Sequence, residues 1–128
     1  MQLSKNFSKA ELCKSQTATR MGLNNNPTDD QTENLRLLCE RVLQPVRDHF
    51  NQVVTISSGF RDPILSVKIG SSIDSQHCKG EAADLEIFNV ANNELADWIK
   101  ENLMFDQLIL EYFEPGQPKS GWVNVSYT

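Results

Sequence analysis

Apolar residues recur along the chain with two different patterns, and the change from one to the other outlines the fold. Ser8-Lys9-Ala10-Glu11 has the form of a capping box, so a first helix is expected to start at Ser8. It should fade near Gly22, where Met21-Gly22-Leu23-Asn24-Asn25-Asn26-Pro27 is turn chemistry. Thr28, with Gln31 three residues on, opens a longer helix. Leu35, Leu38, Val42, Val46 and Phe50 then recur at three to four residues, the period of one buried helical face. Pro45 falls inside that run and should kink it or mark a break.

Past Phe50 the chemistry turns to that of strands. Val53-Val54-Thr55-Ile56 is a β-branched run, and Ser57 to Pro63 turns away from it. Pro63 to Ile69 forms a short helix closed by Gly70, and Gly70 through Lys79 reads as a polar loop. Ala83 to Phe88 is a second strand, followed by an amphipathic helix from about Asn92 to Leu103. Phe105 to Tyr112 and Trp122 to Tyr127 are two more strands, joined by the Pro- and Gly-rich connection Glu114 to Gly121. Helices first and strands later are the signature of an α+β domain with N-terminal helices on a small, mainly antiparallel sheet. Residues 1–128 suit one domain with a core of its own.

Composition narrows the function classes. Hydrophobic residues are 39% and charged residues 23%, ordinary for a globular protein. The net charge of −5, with no Lys/Arg cluster, argues against a nucleic-acid partner. No apolar run reaches the roughly 20 residues of a membrane span, so no membrane partner is expected. Met1-Gln2-Leu3-Ser4-Lys5 has no apolar signal core, so the expectation is cytoplasmic synthesis without a signal peptide. Cys13, Cys39 and Cys78 form no CxxC pair and read as free thiols. Cys78 as a nucleophile would need a base within reach, and its neighbour His77 does not supply one by adjacency alone.

Strand alternation gathers the polar candidates. Leu85 and Ile87 should face the core, leaving Asp84 and Glu86 on the other face. In the last strand Val123, Val125 and Tyr127 point inward, while Trp122, Asn124 and Ser126 share the opposite face. Glu111 ends a strand that should pair with it. Asp84, Glu111 and Asn124 can therefore line one cleft, with His77 reaching in from the preceding loop. Within Ser75–Asp84 the pattern His-x-x-Gly-x-Ala-x-Asp places an imidazole and a strand-held carboxylate together, both good zinc ligands.

With that motif the sequence resembles the zinc D-alanyl-D-alanine carboxypeptidases. The group includes phage L-alanyl-D-glutamate endopeptidases and shares a fold with the Hedgehog signalling domain. The resemblance extends through Ser57-Ser58-Gly59-Phe60-Arg61, Phe105 to Glu111 and Gly121 to Ser126, and is strongest to the small phage-associated branch. It implies His77 and Asp84 as the first two ligands of Zn²⁺, Glu111 as general base and Arg61 as the group stabilising substrate or oxyanion. A structural role for Arg61, bracing its own turn or pairing with Asp62 or Asp84, is the alternative. The third metal position is a His in this family and Asn124 here. An amide oxygen is a hard, weak ligand better suited to Ca²⁺ or Mg²⁺ than to zinc. The only other histidine, His49, has no family role.

The expectation is a peptidoglycan-directed zinc metallopeptidase-like domain of carboxypeptidase or endopeptidase type, its metal weak or absent and its activity weakened by Asn124. Its partner, if active, is a peptidoglycan stem peptide. The alternative is an inactive pseudo-peptidase acting with virion proteins as a structural or binding component of a phage particle or tail.

Overall fold

A computed structural model describes residues 1–128. Two short strands, β1 (Gln2–Ser4) and β2 (Phe7–Ser8), pair antiparallel ahead of the first helix. At two and three residues they carry no readable periodicity, and the sequence reading did not anticipate them. Ser8 does cap α1 (Lys9–Cys13), its hydroxyl accepting from the Glu11 N–H. The expected helix to Gly22 is instead broken. Lys14 is extended, and Ser15 opens α2 (Gln16–Met21) by accepting from the Ala18 N–H. Gly22 ends α2 in the left-handed conformation.

Thr28 and Gln31 form a complete capping box at the start of α3 (Asp29–Leu38). Pro45 resolves as a change of pitch. A π-helical turn (Cys39–Leu43) leads into α4 (Gln44–Phe50), and the Gln44 N–H reaches back five residues to the Cys39 carbonyl. Pro45 has no N–H to offer the carbonyl four residues before it, and the wider turn absorbs that loss. Leu35, Leu38, Val42 and Val46 remain on one face and are fully buried.

The main sheet has the order β3-β4-β6-β5, all neighbours antiparallel, from β3 (Val54–Ser58), β4 (Ala82–Ile87), β5 (Leu108–Glu111) and β6 (Trp122–Ser126). This is the α+β architecture expected. Between β3 and β4 lie α5 (Pro63–Lys68), capped by the Asp62 carboxylate, and a 3₁₀ turn (Gln76–Lys79) inside the segment read as loop. Helix α6 (Asn92–Asn102) connects β4 to β5. Strand β5 is shorter than the expected Phe105–Tyr112. The Asp106 and Gln107 N–H groups bond the Ser126 carbonyl and hydroxyl, and Tyr112 takes a left-handed φ of 51° that stops the strand. No helix is long and apolar enough to cross a membrane.

Alternation places the core as expected. Ala83, Leu85, Ile87, Val123 and Val125 are fully buried against Leu35, Leu38, Val42, Leu95 and Ile99 of the helices. The opposite face of the same strands carries Asp84, Glu86, Trp122 and Asn124.

Candidate functional site

His77 is delivered by the 3₁₀ turn. The Ser75 hydroxyl accepts from its backbone N–H, and Gly80, at φ 75°, closes the turn so the chain can enter β4. A Cβ on Gly80 would collide with the Gln31 carbonyl of α3, so close approach to that helix also requires glycine. His77 itself is 7% exposed.

Its ring is held at both ends. Nδ1 lies 2.8 Å from the Gly59 carbonyl oxygen, which can only accept, so Nδ1 carries the proton. The Nε2 lone pair then faces the sheet. Gly59 can present its carbonyl there because β3 runs tight against α1: the Phe60 N–H donates to the Leu12 carbonyl at 2.7 Å, and any side chain at Gly59 would strike that same carbonyl. The tautomer is the one a metal-binding imidazole adopts when a backbone carbonyl orients it.

Asp84 and Asn124 are register partners across β4 and β6. The Asn124 amide nitrogen donates to Asp84 Oδ1 at 2.8 Å and lies 3.2 Å from His77 Nε2. A carboxylate oxygen and an unprotonated imidazole nitrogen both accept, so the NH₂ end of the amide must face them, one hydrogen to each. Asp84 Oδ1 and His77 Nε2 are 3.6 Å apart.

That separation suits two ligands of one zinc, which at bond lengths of about 2.0–2.2 Å and tetrahedral angles would lie about 3.3–3.6 Å apart. The third donor does not suit it. The amide nitrogen aimed between His77 and Asp84 has no lone pair to give, and its hydrogens occupy the direction a cation would take. No three His, Cys, Asp or Glu side chains cluster to replace it. His49 is stacked on Trp98 at 4.3 Å and packs edge-on to Phe50, away from the site. As arranged, the site offers two donors, His77 Nε2 and Asp84 Oδ1, and Asn124 turned end for end would add only a weak amide oxygen, so the set fits a tetrahedral zinc centre poorly.

The two flanking candidates sit on either side of this trio. Glu111 lies on the β5 side. Ile109 is the register partner of Asn124 and Glu111 that of Trp122, so Glu111 shares the face of Asn124 two pairs further along. It is half-buried and makes no hydrogen bond to the trio. Arg61 lies on the β3 side. Its backbone N–H donates to the His77 carbonyl at 3.0 Å, and its guanidinium donates to the Ser58 hydroxyl at 3.3 Å. It pairs with neither Asp62 nor Asp84. Ser58 is in turn the register partner of Asp84.

Two clefts lie near the trio, and only the smaller is lined by any of its members. One, of about 350 Å³, is lined by His77 and Asn124 with Asp74, Ser75, Gln76, Asp106 and Gln107, and a 2.6 Å bond from the Gln76 amide to Asp106 closes one side. The other, of about 530 Å³, has Ser58 and Arg61 in its lining. Gly59, Ser58, Gln76 and Asp106 carry no site role in the sequence pattern, although all four fall within segments that carry the resemblance.

The family model described as peptidase M15 matches residues 5–114, a span that takes in Arg61, His77, Asp84 and Glu111 and stops before Asn124. Among curated proteins, none matches the chain.

Proposed function

The chain belongs to the peptidase M15 family, and on that premise we propose that it is a peptidase-like domain that binds its peptide without hydrolysing it at an enzymatic rate. The observation that carries this is the Asn124 amide, bonded to both His77 Nε2 and Asp84 Oδ1 where the family's third metal ligand belongs. With that amide in place the trio is satisfied internally and needs no cation to hold it together. The ligand is the stem peptide of peptidoglycan. Its place beside β4 and β6 is bounded by Glu111 on one side and Arg61 on the other. The likeness to the small phage-associated branch supports a setting in a virion or tail, where a domain that grips cell-wall peptide without cutting it would serve attachment.

A second reading, a weak zinc peptidase, has one observation in its favour: His77 and Asp84 keep a spacing and a tautomer compatible with metal. Metal content separates the two. Protein purified without a metal-affinity tag or chelator should hold far less than one zinc per chain, and should bind peptidoglycan sacculi without releasing soluble peptide. Stoichiometric zinc together with digestion at an ordinary enzymatic rate would overturn the proposal. Asn124→His should raise zinc to about one per chain by elemental analysis, because it restores an imidazole to a pair already spaced for metal. No gain in metal would mean that the geometry around the pair, and not Asn124 alone, keeps zinc out.

A further inference from the structure

The two edges of the main sheet are finished differently. At the β3 edge the register shifts between Ile56 and Ser58, and α1 packs alongside, its Leu12 carbonyl accepting from the Phe60 N–H. The β5 edge has neither device: Leu108-Ile109-Leu110-Glu111 contains no Lys or Pro, and its pairing to β6 runs without a bulge. The Ser126 N–H donates to the Gln107 carbonyl, so by alternation Ile109 and Glu111 exchange the hydrogen bonds with β6. Leu108 and Leu110 therefore turn their N–H and C=O groups outward, where neither has a backbone partner. Beside them the Ile109 side chain stands on the site face, 42% exposed. An open row of donors and acceptors next to an exposed aliphatic side chain is a template for another strand.

The ends of the edge limit which strand fits. Asp106 has already given its N–H to the Ser126 carbonyl at 2.7 Å, and Tyr112, at φ 51°, has left extended geometry. Only Leu108 and Leu110 remain to pair, and β5 itself has the matching spacing. Laid antiparallel on a second β5, Leu108 meets Leu110 of the other copy and Leu110 meets Leu108, making four hydrogen bonds. Ile109 faces Ile109 between them, in the closer, non-hydrogen-bonded position. Glu111 lies opposite Gln107, so no like charges oppose each other. A shift of two residues either way loses hydrogen bonds at Asp106 or Tyr112 and sets Ile109 against Gln107 or Glu111.

We infer that β5 is a self-association edge, through which two copies join antiparallel about a two-fold axis and extend the four-stranded sheet across both molecules. The axis runs perpendicular to the sheet, so both site faces look the same way. The two Asn124 residues are then three strand spacings apart, about 14 Å. Glu111 of each copy comes opposite Gln107, which lines the smaller cleft of the other. Two sites on one surface grip a repeating polymer with an avidity neither has alone; that use rests on the function proposed above, and the pairing does not.

The test uses the whole chain. Sedimentation equilibrium from micromolar to millimolar protein should show a monomer passing to a dimer, and hydrogen exchange at the Leu108 and Leu110 amides should slow at the high end. Ile109→Lys sets two cations face to face across the paired edge and should keep the chain monomeric throughout. Its melting temperature in dilute solution should be unchanged, because the side chain is exposed. Ile109→Cys should give a disulfide-linked dimer with oxidised glutathione, two thiols losing two electrons and two protons to it. The paired edge brings those two Cα atoms to about 4.5 Å, within disulfide reach. A chain that stays monomeric at millimolar concentration, a dimer that survives Ile109→Lys, or no link at position 109 would each overturn the inference. So would protection of Leu108 and Leu110 that appears only when an extended peptide is added, since the edge would then be a peptide site.

Discussion

Strands β4 and β6 present two faces built on different rules. On the core face Leu85 and Val123 are register partners, fully buried and held by packing against the helices. On the other face Asp84 and Asn124, the next pair along, are half-buried and held by directed hydrogen bonds. Core contacts are many and individually weak, so the first face tolerates apolar replacements of similar volume. The site face tolerates little, because each polar atom depends on one named partner: Asp84 on Asn124, and Glu86 on the Asn92 amide at 3.2 Å. A one-residue slip of either strand would exchange the two faces, so burial of the first enforces the geometry of the second.

The largest effect should come from the core face. Leu85→Ala removes a fully buried side chain and should cost about 2–5 kcal/mol in denaturant unfolding. It should leave ligand binding unchanged in the fraction that remains folded. Loss of binding in that folded fraction would show that the two faces are coupled through more than register.

Asn124→Ala tests the opposite face and should cost less, about 1–3 kcal/mol, because it strips a donor from both Asp84 Oδ1 and His77 Nε2 in a half-buried setting. The His77 ring should keep its tautomer, read from its ¹⁵N shifts, since the Gly59 carbonyl still holds Nδ1. An unchanged stability would mean that water replaces the amide at no cost and that the trio is not a structural unit.

Much of this division was legible beforehand. Caps at Ser8 and Thr28 and the apolar spacing from Leu35 to Val46 state their structure locally, and strand alternation assigned Asp84 and Asn124 to one face. The pattern from His77 to Asp84 brings imidazole and carboxylate together by spacing alone. What stayed hidden depends on groups that spacing does not encode. Ser15 was present as a second cap, but a helix already begun at Ser8 masked it. Residue identity at Gly59 does not say that its carbonyl binds His77. Nor does an Asn at position 124 say which end of its amide faces its neighbours; that follows only once both neighbours are known to be acceptors. Nor does spacing reveal the register shift between Ile56 and Ser58 that pairs Ser58 with Asp84.

The smallest effects lie away from both faces, where two carboxyls with opposite shifts set how stability responds to acid. Glu11, partly buried within α1, is raised above its ordinary value of 4.5 by loss of solvent, against the lowering effect of the Ser8 backbone. A raised carboxyl lends stability that is fully present below 4.5 and is lost as pH climbs through its folded value. Glu33 is lowered by its hydrogen bond to Arg36, so its contribution is present above 4.5 and is lost as pH falls through its folded value. The two slopes lie on opposite sides of 4.5, Glu33's below it and Glu11's above it, so together they place a shallow maximum of stability near that pH. Glu11→Gln removes the first slope, so the melting temperature of that variant should rise relative to wild type as pH increases from 4 towards 7. Glu33→Gln should do the reverse and more faintly, because the pair it breaks is exposed and screened by salt. Parallel pH profiles for wild type and Glu11→Gln would mean that the carboxyl stays solvated in the folded chain, and that the packing of α1 against the sheet is looser than the burial of Leu12 implies.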